Sequence, residues 1–125
     1  MNLENWIAGP QIVGVVLLIT GFILYRFPPK HINKWYGYRM PSAQKDQKTW
    51  DEANRYSALY MAKSGLVVLV AGLLITFILK EIVIPARVKA GLTALFLIVS
   101  GPIPCIFMIV STEKHLEKTF DQKPE

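Results

Sequence analysis

The chain has one cysteine, two histidines and no Asp or Glu inside its apolar stretches, and each shortage removes a class of chemistry. Cys105 alone forms no intrachain disulfide and is read as a structural thiol. His31 and His115 stand far from any cysteine, so zinc or haem would lack a ligand set. The windows Pro10–Phe27, Ala58–Leu79 and Ala90–Val110 hold no carboxylate, which leaves no intramembrane proton or ion relay. There is no Ser/His/Asp ordering, no HExxH and no phosphate-cradling glycine loop. Neither an enzyme nor a cofactor or metal is expected, and a transporter reading is weak.

What is present is apolar bulk. Of 125 residues 52% are hydrophobic and only 18% charged, and mean hydropathy is +0.32, too apolar for an ordinary soluble domain of this size. As helices the three windows reach about 27–33 Å at ~1.5 Å per residue, which matches a hydrocarbon layer of about 30 Å. The first lacks a basic leader and ends in Tyr25, Arg26 and Phe27 instead of a small-residue cleavage site, so it reads as a span. The expected fold is all-α: one three-helix membrane bundle over 1–125, with spans at about 7–27, 58–79 and 88–110. A connector, 28–57, and a tail, 111–125, complete it, and the second helix extends beyond the bilayer.

The net charge of +5 is spread unevenly. Arg26, Lys30, Lys34, Arg39, Lys45, Lys48 and Arg55 cluster in the first connector and its flanks, and Lys114, Lys118 and Lys123 lie in the tail. The second connector holds only Lys80, Arg87 and Lys89. The positive-inside rule then puts the connector and C-terminus in the cytoplasm and the N-terminus outside, with Trp6 anchored at the outer headgroups. Membrane lipids are the expected partners of this charge, and direct nucleic-acid binding is not expected.

Pro28-Pro29 should stop the first helix. Lys30–Tyr38 then alternates basic and aromatic residues, a composition suited to the headgroup layer. A helix is expected to restart near Ser42 or Lys45 and to run unbroken to about Leu79. Thr49 and Glu52 have capping-box spacing, which fits a helix start or the interior of one begun earlier. Ser57-Ala58, Ser64-Gly65 and Ala71-Gly72 repeat at seven-residue spacing, as do Gly14 and Gly21. Such small residues let backbones approach, so the first two spans should pack through them. They suit packing within a chain and between copies equally, which leaves a homo-oligomer open. Trp50, Asn54 and Ser57 share that stripe, and Asp51 with Arg55 is spaced as an i,i+4 pair on a solvated face. Pro102 and Pro104 should bend the third span, with a structural bend favoured over a coordination site.

Several of these residues together resemble the SdpI family of small bacterial membrane proteins, in a short three-span form. The match rests on Tyr36-Gly37-Tyr38-Arg39 followed by Pro41, on Thr49-Trp50 with Ala53-Asn54-Arg55-Tyr56, and on Thr112-Glu113 with Leu116 and Phe120. It runs over roughly residues 10–121. The resemblance implies a bacterial inner-membrane protein. For the member that names the family it implies immunity to a secreted killing peptide and sequestration of a cytosolic transcriptional repressor.

On the residues themselves, Tyr36 and Tyr38 are expected to anchor at the interface. Arg39 is expected either to pair with Glu113, with Trp50 and Asn54 beside them, or to bind lipid phosphate while Glu113 faces water. Three functions follow as expectations. The first is protection by binding a membrane-active peptide toxin or its target. The second is a signalling scaffold that recruits a cytosolic transcriptional regulator, and the third is organisation of lipids.

Overall fold

The structure, a computed structural model, describes residue 7 and residues 9–120. Trp6 and Lys123, to which the sequence assigns an outer anchor and a tail charge, lie outside the described residues. Among the described residues four helices follow in order, α1 (Pro10–Arg26), α2 (Gln47–Glu81), α3 (Ala86–Ser100) and α4 (Pro102–Phe120), and no strand. The all-α expectation holds.

α1 opens on Pro10, at a position where an amide hydrogen would have no helical partner, and closes at Arg26 ahead of Pro28-Pro29. α2 begins later than the sequence reading placed it. Residues 41–44 form tight turns instead, with the Ala43 amide donating to the Met40 carbonyl at 2.9 Å. Asp46 then caps the helix, accepting from the Thr49 amide at 2.8 Å. The Thr49/Glu52 spacing therefore sits inside the first turns and is not the cap.

α2 has 35 residues, about 52 Å of helix, which exceeds the hydrocarbon thickness of about 30 Å. α2 and the stretch Ala86–Phe120 are each long and apolar enough to cross a membrane, whereas α1 is apolar but has 17 residues. The last stretch is interrupted at Gly101 alone. Pro102 and Pro104 thereby fall in the first turn of α4, where the missing amide costs least.

The main packing seam joins α1 to α2 in antiparallel order, backbone against backbone. A Cβ on Gly14 would lie 2.3 Å from the Leu69 nitrogen, and one on Gly21 would lie 2.4 Å from the Ala62 nitrogen. Gly65 meets Leu18 in the same way, and Gly72 meets Gln11. The buried Gln11 side chain accepts from the Thr76 hydroxyl at 3.1 Å. The paired small residues divide: Ser57, Ala58, Gly65 and Gly72 are buried, Ser64 turns toward Pro104 and Cys105 of α4, and Ala71 is exposed. Adjacent helical residues point about 100° apart, so Gly72 can face the seam only if Ala71 does not.

The interior is concentrated at one end. Tyr38, Ala43, Trp50, Ala53 and Leu116 form the core there, with Met108, Ile109 and Phe120 against it. Along the helices, by contrast, Phe22, Val67, Leu74 and Ile98 are exposed, and α3 has no buried residue. Apolar surface of that extent, on helices that satisfy their own backbones, suits lipid and not water.

Candidate functional site

The packed end is a cap made by residues 28–46, folded over the first turns of α2 and the last turns of α4. Its first bend is local. The Asn33 side-chain oxygen accepts from the Trp35 and Tyr36 amides at 2.8 and 2.9 Å, while its amide group donates to the His31 carbonyl.

The second bend is set by α2. Gly37 has φ +101°, and a Cβ there would fall 2.5 Å from the Asn54 side-chain oxygen. That oxygen accepts from the Tyr38 amide at 2.6 Å, and the Asn54 side-chain amide donates to the Trp50 carbonyl at 2.9 Å. Trp50 is fully buried, and its indole N–H donates to the Pro29 carbonyl at 2.8 Å. Two side chains of one helix thus hold the cap at Pro29 and at Tyr38. Such bonds matter because a buried polar group left unpaired costs about 1–3 kcal/mol.

α4 closes the cap. The Tyr38 hydroxyl donates to Glu113 Oε1 at 2.6 Å, and the Ser42 hydroxyl donates to the same oxygen at 2.7 Å. Burial first, and then the neighbouring Glu113, push the Tyr38 phenol well above its ordinary value. Tyr38 therefore stays a neutral donor. Thr112, fully buried, bonds back to the Met108 carbonyl at 2.7 Å.

Two sequence expectations are corrected here. Tyr38 is an interior residue and not an interfacial anchor, since only 7% of it is exposed. Glu113 is held by two hydroxyls, while the exposed Arg39 guanidinium donates to the Lys34 carbonyl. A phenol and a serine can satisfy a partly buried carboxylate without desolvating a guanidinium, which carries a larger penalty. Pro41 only shapes the turn between them, and Tyr36 remains half exposed.

A second α2–α4 tie involves residues to which the sequence reading assigned no joint role. Glu52 accepts from Arg55, with an ion-pair distance of 2.5 Å, and meets His115 Nε2 at 2.8 Å. The His115 ring stacks on Tyr56 with centroids 4.1 Å apart. The Arg55 bond, more than the His115 bond, holds the Glu52 carboxyl below its usual range, and burial only partly opposes this. Arg55 is therefore not the partner of Asp51, which takes the Gln47 amide at 2.7 Å instead. The i,i+3 and i,i+4 choices are nearly isoenergetic on a helix surface, and with Asp51 bonded by Gln47 the Arg55 guanidinium goes to Glu52.

Two hollows flank the cap. One, of about 530 Å³, lies between cap and bundle and is lined by Leu24, Ser57, Met61, Met108 and Ile109 of the helices and by Lys34, Tyr38 and Arg39 of the cap. The other, of about 810 Å³, lies on the outer side of the cap, between Arg26 and Tyr36. Among the described residues no three His, Cys, Asp or Glu side chains converge to hold a metal ion.

Comparison with known proteins gives the family. The SdpI/YfhL protein family matches residues 30–112, which takes in the cap, α2, α3 and α4 up to Thr112. The uncharacterized protein YfhL of Bacillus subtilis (strain 168) is 38% identical over 107 residues, covering 83% of this chain and 82% of that protein. No solved structure matches. Both similarities run through Gly37, Tyr38, Trp50 and Asn54, the residues that build the cap, and the chain belongs to the SdpI/YfhL family.

Proposed function

We propose that this protein is a non-enzymatic bacterial inner-membrane protein that protects the envelope by binding a membrane-active peptide, or that peptide's target in the bilayer, beneath the cap. The observation that carries the reading is the amphipathic hollow of about 530 Å³. Its floor is aliphatic and thioether surface, and Lys34 and Arg39 stand at its rim. Methionines adapt to varied apolar shapes, so Met61 and Met108 suit a ligand that inserts an apolar face and leaves an acidic or carbonyl-rich edge at the rim.

In this reading α1, α2 and α3–α4 all cross the membrane, with the cap and C-terminus cytoplasmic and the N-terminus outside. The excess of Lys and Arg in the cap and tail supports that orientation. Expression should raise the tolerated dose of at least one membrane-active peptide, and Met61→Trp, which fills the hollow, should remove the gain. Unchanged tolerance across a broad peptide panel would reject the reading.

A second reading is a signalling scaffold that recruits a cytosolic regulator through the cap and tail. It is favoured by one relation: Tyr38 lines the hollow and also holds Glu113 at the end of α4. Occupancy of the hollow would thus be felt at the tail. Pull-down of a cytosolic protein by the intact chain, lost in Tyr38→Phe, tests it.

A further inference from the structure

The sequence reading treats Lys30–Tyr38 as one cationic and aromatic strip, but the fold divides it between two sides. Lys34, Tyr38 and Arg39 turn to the inner hollow. Arg26, Lys30, His31, Trp35 and Tyr36 line the outer one, together with Phe27, Pro28 and Asn33. No carboxylate is among the residues lining that outer hollow, while Arg26 and Lys30 bring two cations to it.

We propose that the outer hollow is a binding site for the headgroup of one acidic phospholipid. Arg26 and Lys30 face the phosphate, and Trp35 and Phe27 lie along the glycerol and the first acyl carbons. The placement follows from the chain itself. The hollow begins at Arg26, the last residue of the apolar α1, and with α1 crossing the bilayer, as proposed above, that end lies at the headgroup level. Trp35 is 86% exposed and Phe27 66% exposed, a large apolar exposure beside cations that water leaves uncovered and a lipid would cover. Arg26 already lies over the Phe27 ring at 5.5 Å, so cation and apolar ring stand side by side at the mouth of the hollow. Asn33 closes the bend that brings Trp35 back toward Arg26, and its side-chain oxygen is fully used by two backbone amides. The anion is therefore left to the cations. An acidic lipid fits better than a zwitterionic one because a choline or ethanolamine cation would meet Arg26, Lys30 and His31 with no carboxylate to receive it.

This site is separate from the peptide reading of the inner hollow, and the fate of one does not decide the other. The test uses the full chain carrying Trp6→Phe, in nanodiscs containing brominated phosphatidylglycerol or brominated phosphatidylcholine at equal mole fraction. Trp50 is fully buried and bonded to Pro29, so the quenchable signal belongs to Trp35, and its loss in Trp35→Phe verifies the assignment. Quenching by the acidic lipid is expected to exceed that by the zwitterionic lipid several-fold at low salt and to weaken at high salt. The preference should disappear in Arg26→Gln with Lys30→Gln and persist in Lys118→Gln, an exposed lysine outside the hollow. Equal quenching by both lipids in the unsubstituted basic background overturns the proposal without any variant having to fold. So does equal loss of preference in Lys30→Gln and Lys118→Gln, which would mark a diffuse charge effect.

Discussion

The Tyr38 hydroxyl and Glu113 Oε1, 2.6 Å apart across 75 positions of chain, tie the cap to the end of α4. Tyr38→Phe should cost about 1.5–3 kcal/mol, the range for a hydrogen bond to a charged group. Glu113→Leu removes the acceptor for both Tyr38 and Ser42, so the double variant should be less destabilised than the sum of the singles. Denaturation in detergent micelles, followed by Trp fluorescence, reads the cycle. The charge swap Arg39→Glu with Glu113→Arg should recover nothing, because the two residues are not partners.

Gly37 and Asn54 form a second pair. Gly37→Ala meets both the strain of φ +101° and a Cβ 2.5 Å from the Asn54 oxygen. Asn54→Leu leaves the Tyr38 amide unpaired, at a cost of about 1–3 kcal/mol. Both should raise proteolytic cleavage within residues 28–46 while helix content by circular dichroism stays near that of the parent. Cleavage unchanged in both would contradict the account of the cap.

The α1–α2 seam should be the least tolerant of added volume. Gly14→Leu or Gly65→Leu pushes a side chain into the partner backbone, whereas a Cβ at Gly91 meets nothing within 4 Å and Gly91→Leu starts into open space. Overpacking of this kind costs about 1–3 kcal/mol or more. Thermal unfolding in micelles should fall for the first two and hold for the third.

Stability should decline at both ends of the pH range, for different groups. The Glu52 carboxyl is held below its ordinary 4.5, chiefly by the Arg55 bond, so its contribution is present above that value and fades as pH falls through the lower folded value. The Asp46 cap, lowered from 3.8 by the Thr49 bonds, follows the same sign. Tyr38 is raised above 10.0, so its contribution is complete below pH 10 and is lost as pH climbs past it. In Glu52→Gln the acid limb should flatten, and in Tyr38→Phe the alkaline limb should; a limb unchanged in its variant would assign it to other groups.

Much of the fold was legible because its signals are local. Pro28-Pro29 ended α1, the apolar run from Ala58 carried α2, and the paired prolines after Gly101 marked the break before α4. The Thr49/Glu52 spacing left two placements of the α2 start open, because a capping box and an interior pair share one spacing, and the Asp46 cap selects the interior one. Ala71 was misplaced because a pair of small residues does not say which member faces the neighbour.

Chain order and residue chemistry by themselves determined the helical class, the polar connector, the charge asymmetry and the family, since periodicity, proline position and ordered motifs all act over a few residues. Only the tertiary structure decided that Glu113 belongs to Tyr38 and Ser42, that Glu52 meets His115 across 63 positions, and that the basic strip faces two hollows. The physical reason is that carboxylates accept any donor the fold delivers. Which donor arrives is settled by how α4 docks against α2, and no spacing within a helix encodes that.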